Sequence, residues 1–198
     1  MTYDYEKDPH AIETESFRQI RALTNLGALN ADEAQVAMRL VHTCGDPALT
    51  EEIVLSSQSV SAGLKAATLQ STVLCDVEMV KQGLTRRFQD GPVHCFLNDE
   101  RVPTLAKAKG ETRSMAALEL WKPHLKDSVV IIGNAPTALF RLLEMIADGA
   151  DKPALIIGMP VGFVGAAESK EALIEAADNM NLNVMSLRGR RGGSALAA

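Results

Sequence analysis

Ser128-Val129-Val130-Ile131-Ile132 runs straight into Gly133-Asn134-Ala135-Pro136-Thr137, and this junction decides the fold. The run after Ser128 is apolar and β-branched at every position. It lacks the period-two alternation of a strand with one face in water. Such runs read as strands buried on both faces, the habit of parallel sheets. Glycine and proline then turn the chain, and Thr137 opens an apolar-periodic helical pattern. The same junction recurs where Ala154–Ile157 meets Gly158-Met159-Pro160-Val161-Gly162, again with a helical pattern beyond. It recurs a third time where Asn183–Leu187 meets Arg188-Gly189-Arg190-Arg191-Gly192-Gly193.

Working outward, two more strands are expected at Thr72–Cys75 and Val93–Leu97, with the third to fifth at Val129–Ile132, Ala154–Ile157 and Asn183–Leu187. Helices are expected near Val77–Gln82, Thr112–Trp121, Thr137–Asp148 and Ser169–Asn179. Right-handed crossovers return each strand to one sheet. The fold class is α/β, three layers in α/β/α order around a five-stranded parallel sheet. Loops at the carboxyl ends of such strands converge on one rim, where α/β proteins bind ligands.

The first 70 residues read as a helical layer, and residues 71–198 as the α/β core of the same single domain, 1–198. Asp8-Pro9 starts a helix, Asp8 as cap and Pro9 in the first turn, with Ile12, Phe17, Ile20 and Leu23 on one face. Asn30 caps a second, with Glu33 completing a capping-box pattern. Val36, Leu40 and Val41 face inward and Gly45-Asp46-Pro47 stops it. Weaker helices follow near Leu49–Val54 and Ser59–Leu69.

Net charge is −5, which gives no electrostatic support to nucleic-acid binding. Yet Arg86, Arg87, Arg113, Arg188, Arg190 and Arg191 all sit in or beside strand-end loops. A basic rim on an acidic body suits an anionic small molecule. The three cysteines, Cys44, Cys75 and Cys95, are odd in number and have no CxxC spacing. A disulfide framework is not expected, and cytosol is the default compartment. The polar, acidic start does not read as a signal peptide, and no apolar run approaches the roughly 20 residues that span a bilayer. A membrane partner is therefore not expected either.

His42 is the sharpest single candidate. It lies in the last turn of the second helix, where the negative end of the dipole favours an imidazolium, and Arg39 shares its face. It reads either as a proton donor or as a cap on the helix carbonyls. His10, His94 and His124 have no partner at metal-ligand spacing, so no metal site is expected. The loops from Gly133 and Gly158 either cradle an anion with backbone N–H groups or simply permit tight turns. Neither fits the dinucleotide or triphosphate glycine patterns. The loop Arg188–Gly193 reads as a carboxylate-binding fork or as a basic tail.

Taken together, the motifs resemble the precorrin-8X methylmutases, isomerases of cobalamin biosynthesis, nearly end to end. The likeness rests on Asp8-Pro9-x-x-Ile12 with Ser16-Phe17, and on Arg39-Leu40-Val41-His42-x-Cys44-Gly45. It continues through Cys75-Asp76-x-x-Met79-Val80, Gly83-x-Thr85-Arg86 and Thr112-Arg113-Ser114. GNAPTALFRLLE from Gly133, GMPVGFVGAAESKEAL from Gly158 and RGRRGGSA from Arg188 complete it. The resemblance implies a flavodoxin-like fold and a homodimer that works without a cofactor. It implies migration of a methyl group on ring C of precorrin-8X, or of its cobalt form, from carbon eleven to carbon twelve. The product is hydrogenobyrinic acid or its cobalt form. It assigns His42 as proton donor and acceptor, and Ser16 and Arg39 as substrate contacts. Further contacts are Thr85, Arg113, Gly133–Thr137, Gly158–Phe163 and Arg188–Gly193. Two other classes compete: a corrinoid carrier without catalysis, and a phosphate- or nucleotide-binding enzyme built on the same loops.

Overall fold

The computed structural model describes residues 1–85 and 90–198. Arg86 and Arg87 lie outside the described residues. The chain forms two compact units, Met1–Ile53 and Val54–Ala198.

The first unit holds helix α1 (Pro9–Leu23), helix α2 (Ala31–Cys44) and a 3-10 helix at Pro47–Glu51. Both expected caps form. Asp8 accepts from the His10 amide at 3.1 Å. Asn30 Oδ1 accepts from the amides of Asp32 and Glu33, both at 3.0 Å, and Glu33 returns the bond to the Asn30 amide at 2.9 Å. Gly45 ends α2 with φ +69°, a left-handed turn that glycine adopts without a Cβ clash, and its N–H reaches Val41 O at 2.8 Å. Ala34, Ala37, Met38, Leu40 and Val41 form the buried stripe of α2. Ile12 and Leu23 depart from the expected buried face of α1 and are exposed, Ile20 being the buried residue of that helix.

The second unit is built on one sheet of six strands rather than five: β1 (Ile53–Leu55), β2 (Val73–Cys75), β3 (Val93–His94), β4 (Val129–Ile132), β5 (Leu155–Gly158) and β6 (Val184–Leu187). The added strand, β1, begins at the last residue of the first unit and replaces the second half of the helix expected at Leu49–Val54. Asp46 and Pro47 do start a helical turn, but the β-branched pair Ile53-Val54 favours extended chain. The spatial order is β1-β6-β5-β4-β2-β3, and β3–β2, β2–β4, β4–β5 and β5–β6 all pair in parallel. Without β1 this is the flavodoxin-like order, whose switch point falls between β2 and β4. β2 and β6 are buried at every position, which accounts for their lack of alternation.

Helices α3 (Ser59–Thr68), α4 (Glu78–Gly83), α5 (Val102–Lys109), α6 (Arg113–Ala117), α7 (Pro136–Ala147), α8 (Ala166–Met180) and α9 (Ser194–Ala197) complete the unit, with a 3-10 helix at Leu118–His124. The main core joins Trp121, Leu125, Val130 and Ile132 to Leu139 and Leu142 of α7 and Leu173 of α8. A Cβ on Gly158 would lie 2.4 Å from Leu173 Cδ2, so this glycine lets α8 approach β5 closely. Among the described residues, no helix is long and apolar enough to cross a membrane.

Glu119 ties three elements of this unit together. Its carboxylate receives Lys109 of α5 at 2.7 Å, Lys122 at 2.6 Å and Arg141 of α7 at 3.0 Å. The bonds from Lys109 and then Lys122 hold its pKa at about 2, against an ordinary 4.5. A carboxyl group lowered on folding adds stability above its unfolded value and loses it as pH falls through the folded one. Glu119→Gln is therefore expected to cost about 2 kcal/mol at neutral pH. The gap should narrow below pH 4.5 and close near pH 2, as read by urea denaturation across that window. A pH-independent gap would show that packing, not charge, is what Glu119 supplies.

Candidate active site

In the first unit, His42 sits in the last turn of α2 and its Nδ1 lies 2.8 Å from Ser16 Oγ on α1. The Phe17 ring stacks on the imidazole, with centroids 5.4 Å apart and planes 10° from parallel. The Arg39 guanidinium lies 4.7 Å from the centroid of the same Phe17 ring and 3.2 Å from Glu13. The fold thus brings three sequence-predicted residues, Ser16, Arg39 and His42, into one cluster. Phe17, expected on the apolar face of α1 and part of the Ser16-Phe17 motif, is the fourth member. His42 is exposed, and its Nε2 makes no hydrogen bond among the described residues.

This geometry suits proton exchange at Nε2. In the imidazolium both ring nitrogens are donors, so Ser16 Oγ accepts from Nδ1. Once Nε2 has given up its proton, the same bond keeps the ring in the Nδ1–H tautomer. The Nε2 lone pair then stays available to take a proton back without rotation of the ring. Arg39's pair with Glu13 is exposed, and such pairs contribute little, so a ligand carboxylate can replace Glu13 at small cost.

In the second unit the three glycine loops meet at the carboxyl edge of the sheet. The Gly193 amide donates to Met159 O at 2.8 Å and the Gly162 amide to Arg190 O at 3.3 Å. A Cβ on Gly165 would lie 3.5 Å from Pro136, and one on Gly133 would lie 2.9 Å from Ser194 Cα. Thr137 shares a hydrogen bond of 3.1 Å with Thr112, the cap of α6, and Arg113 donates to Leu97 O and Asn98 Oδ1 at 2.9 and 3.0 Å. Asn134, Val161, Phe163, Arg188, Gly189, Arg190 and Arg191 are exposed there, and Thr85, just after α4, is exposed as well. Phe163 is 85% exposed, unusual for a phenylalanine, and the Arg190 guanidinium lies 5.4 Å from its ring centroid.

The turn after β4 does bind a carboxylate, and the carboxylate is the chain's own. Asp76, buried at the end of β2, accepts from the Gly133 amide at 3.1 Å and from Asn134 and Ala135 at 2.9 and 2.8 Å. Burial raises its pKa above the usual carboxylate value, against the pull of the amide bonds. Ala135, at the N-cap of α7, offers no side-chain bond, so Asp76 acts as a remote cap. These amides are consequently not free for a phosphate, and α9 packs against Gly133 in the same crevice. The Asp76 cap was not visible from spacing, because donor and acceptor lie 57 to 59 residues apart. Among the described residues, no three His, Cys, Asp or Glu side chains gather as metal ligands.

The family model for precorrin-8X methylmutase matches residues 11–198. The chain belongs to the precorrin-8X methylmutase family. A precorrin-8X methylmutase of Pseudomonas aeruginosa is 50% identical over 98% of this chain and 94% of its own length. One from a Sinorhizobium species is 52% identical over 99% and 93%. A cobalt-precorrin-8 methylmutase of Methanocaldococcus jannaschii is 37% identical over 87% and 78%. The crystal structure of a precorrin-8X methylmutase from Thermus thermophilus superposes with a TM-score of 0.84 at 37% identity, covering 95% of this chain and 90% of that one. The blocks that carry the methylmutase likeness are those that build the two clusters above.

Proposed function

We propose that this methylmutase-family chain converts precorrin-8X to hydrogenobyrinic acid, moving the ring C methyl group from carbon eleven to carbon twelve. The observation that carries the reading is the imidazole of His42, held at Nδ1 by Ser16, with no hydrogen bond to Nε2 among the described residues. An intramolecular methyl shift needs no group from outside the substrate. It needs an acid to draw electron density from the conjugated ring as the methyl moves, and the return of that proton afterwards. His42 supplies both at one atom. Positioning must supply the remainder of the barrier reduction.

The substrate's carboxylate arms give the arginines their role. In the first unit Arg39 suits a carboxylate arm beside His42, and in the second unit Arg113, Arg188, Arg190 and Arg191 of the glycine-loop rim suit carboxylate arms in the same way. Phe163 offers an aromatic surface to the macrocycle next to Arg190. Thr85, Asn134 and Thr137 add polar contacts, and the glycines allow close approach. The working form in this reading is a cytoplasmic homodimer, since closed two-fold assemblies are the commonest and a tetrapyrrole is large for one shallow rim. The cobalt-free substrate is favoured, because the relatives at 50% and 52% identity carry the precorrin-8X name and that at 37% the cobalt name.

The test is incubation of the protein with precorrin-8X and, separately, with its cobalt form, followed by visible spectroscopy. The rearranged product has a different chromophore. Conversion of precorrin-8X, faster than of the cobalt form, is expected. Tight binding without spectral change would favour a carrier, and no interaction with either tetrapyrrole would reject the reading.

A further inference from the structure

Among the described residues, only two charged side chains are buried, Asp76 and Lys170. Both act at the carboxyl edge of the sheet. Asp76 is accounted for by the turn after β4. Lys170, in the second turn of α8, is wholly inaccessible, and its Nζ donates to the backbone carbonyl of Arg191. The neighbouring residue, Glu171, accepts from the guanidinium of Arg188. The start of α8 therefore grips the arginine loop at two places, one main-chain and one side-chain.

The same loop is held from its other side. The Arg190 carbonyl accepts from Gly162, and the Gly193 amide donates to Met159. A Cβ on Gly192 would lie 2.2 Å from Met159 O, so only glycine fits that approach. The carbonyls of consecutive residues 190 and 191 are thus tied inward, while the side chains of both are exposed. Burying an ammonium is costly, and an apolar side chain of similar volume often serves stability as well or better. The lysine is better explained by what it orders than by what it stabilises.

We propose that Lys170 is a positioning residue: by holding the Arg191 carbonyl it fixes the arginine loop in the form that receives the substrate's carboxylate arms. The inference rests on the assignment of Arg188–Gly193 to the substrate site. Rigidity in advance of binding saves the ordering cost that a loose loop would incur on every encounter. Proton transfer belongs to His42, so loss of Lys170 is felt in binding and spares the chemical step.

Lys170→Met is the variant to make, with Arg190→Gln/Arg191→Gln as the companion. Each is titrated with hydrogenobyrinic acid and assayed for KM and kcat, with melting temperature as the check on folding. Lys170→Met is expected to weaken product affinity and raise KM by about tenfold or more, the effect of losing a charged hydrogen bond, with kcat close to wild type. If the double arginine variant binds product as well as wild type does, the loop is not part of the site and the inference falls with that assignment. If the arginine variant loses affinity while folded Lys170→Met keeps it, the positioning role alone is overturned. A parallel fall in kcat and melting temperature would likewise reduce Lys170 to a structural residue. Should Lys170→Met not fold, hydrogen exchange in the wild-type protein decides. A Gly193 amide as protected as the core of α8 supports a preset loop, and rapid exchange there overturns it.

Discussion

Replacing His42 by asparagine is expected to lower turnover of precorrin-8X by about a hundred- to ten-thousandfold, the usual contribution of a positioned acid–base group. Asparagine can still bond to Ser16 but cannot exchange a proton near neutral pH. His42 is exposed at a helix end, so the fold and product affinity should hold. Ser16→Ala should cost far less, because it frees the imidazole to rotate without removing its proton. Single-turnover spectroscopy separates the two: His42→Asn binds substrate without converting it, and Ser16→Ala converts it slowly. Turnover near wild type in His42→Asn would remove the imidazole from the mechanism.

Asp76→Ala should destabilise the sheet unit strongly, costing about 3–5 kcal/mol. It strands three amides, of Gly133, Asn134 and Ala135, in a region where Gly133 and Ala135 are buried from water. Asp76→Asn should recover part of the loss, since one amide oxygen can still accept while its NH2 group faces a donor. Urea denaturation of both variants checks this order. A cost under about 1 kcal/mol for Asp76→Ala, within the range of unremarkable surface changes, would mean that water replaces the carboxylate freely.

The inner sheet was legible because burial on both faces removes alternation. Val129–Ile132 could be read as a strand without any knowledge of its neighbours. The caps of α1 and α2 were legible because each is written within four residues. β1 was not, since three residues give no period and the chain before it begins a helical turn. α5, Val102–Lys109, was also missed: its N-cap, Arg101, makes no side-chain capping bond to the helix, and only Val102 and Ala106 are buried. At the site, His42 and Arg39 share one helix, so their spacing announced them. Ser16 was assigned only by family likeness, as a substrate contact, and its bond to His42 across 26 residues was not foreseen. Asp76 and Lys170 illustrate a further limit. A buried charge looks like any surface charge in a sequence, and only the fold shows which backbone groups it serves.

The place of β1 in the sheet bears on how the protein is made. Next to this strand, Val184 at the start of β6 donates to Ser56 Oγ across 128 residues of chain, and Ser56 donates back to Val184 O. A ribosome adds roughly 5–20 residues each second, so β1 waits on the order of ten seconds for its neighbour to emerge. β2 and β3 are complete well before that, and β4 and β5 join them in turn. The sheet is therefore closed at its β1 edge last, by a pairing of high contact order. Until β6 arrives, Ile53-Val54-Leu55 is an unpaired apolar segment, which leaves it open to chaperone capture or mispairing with a second copy.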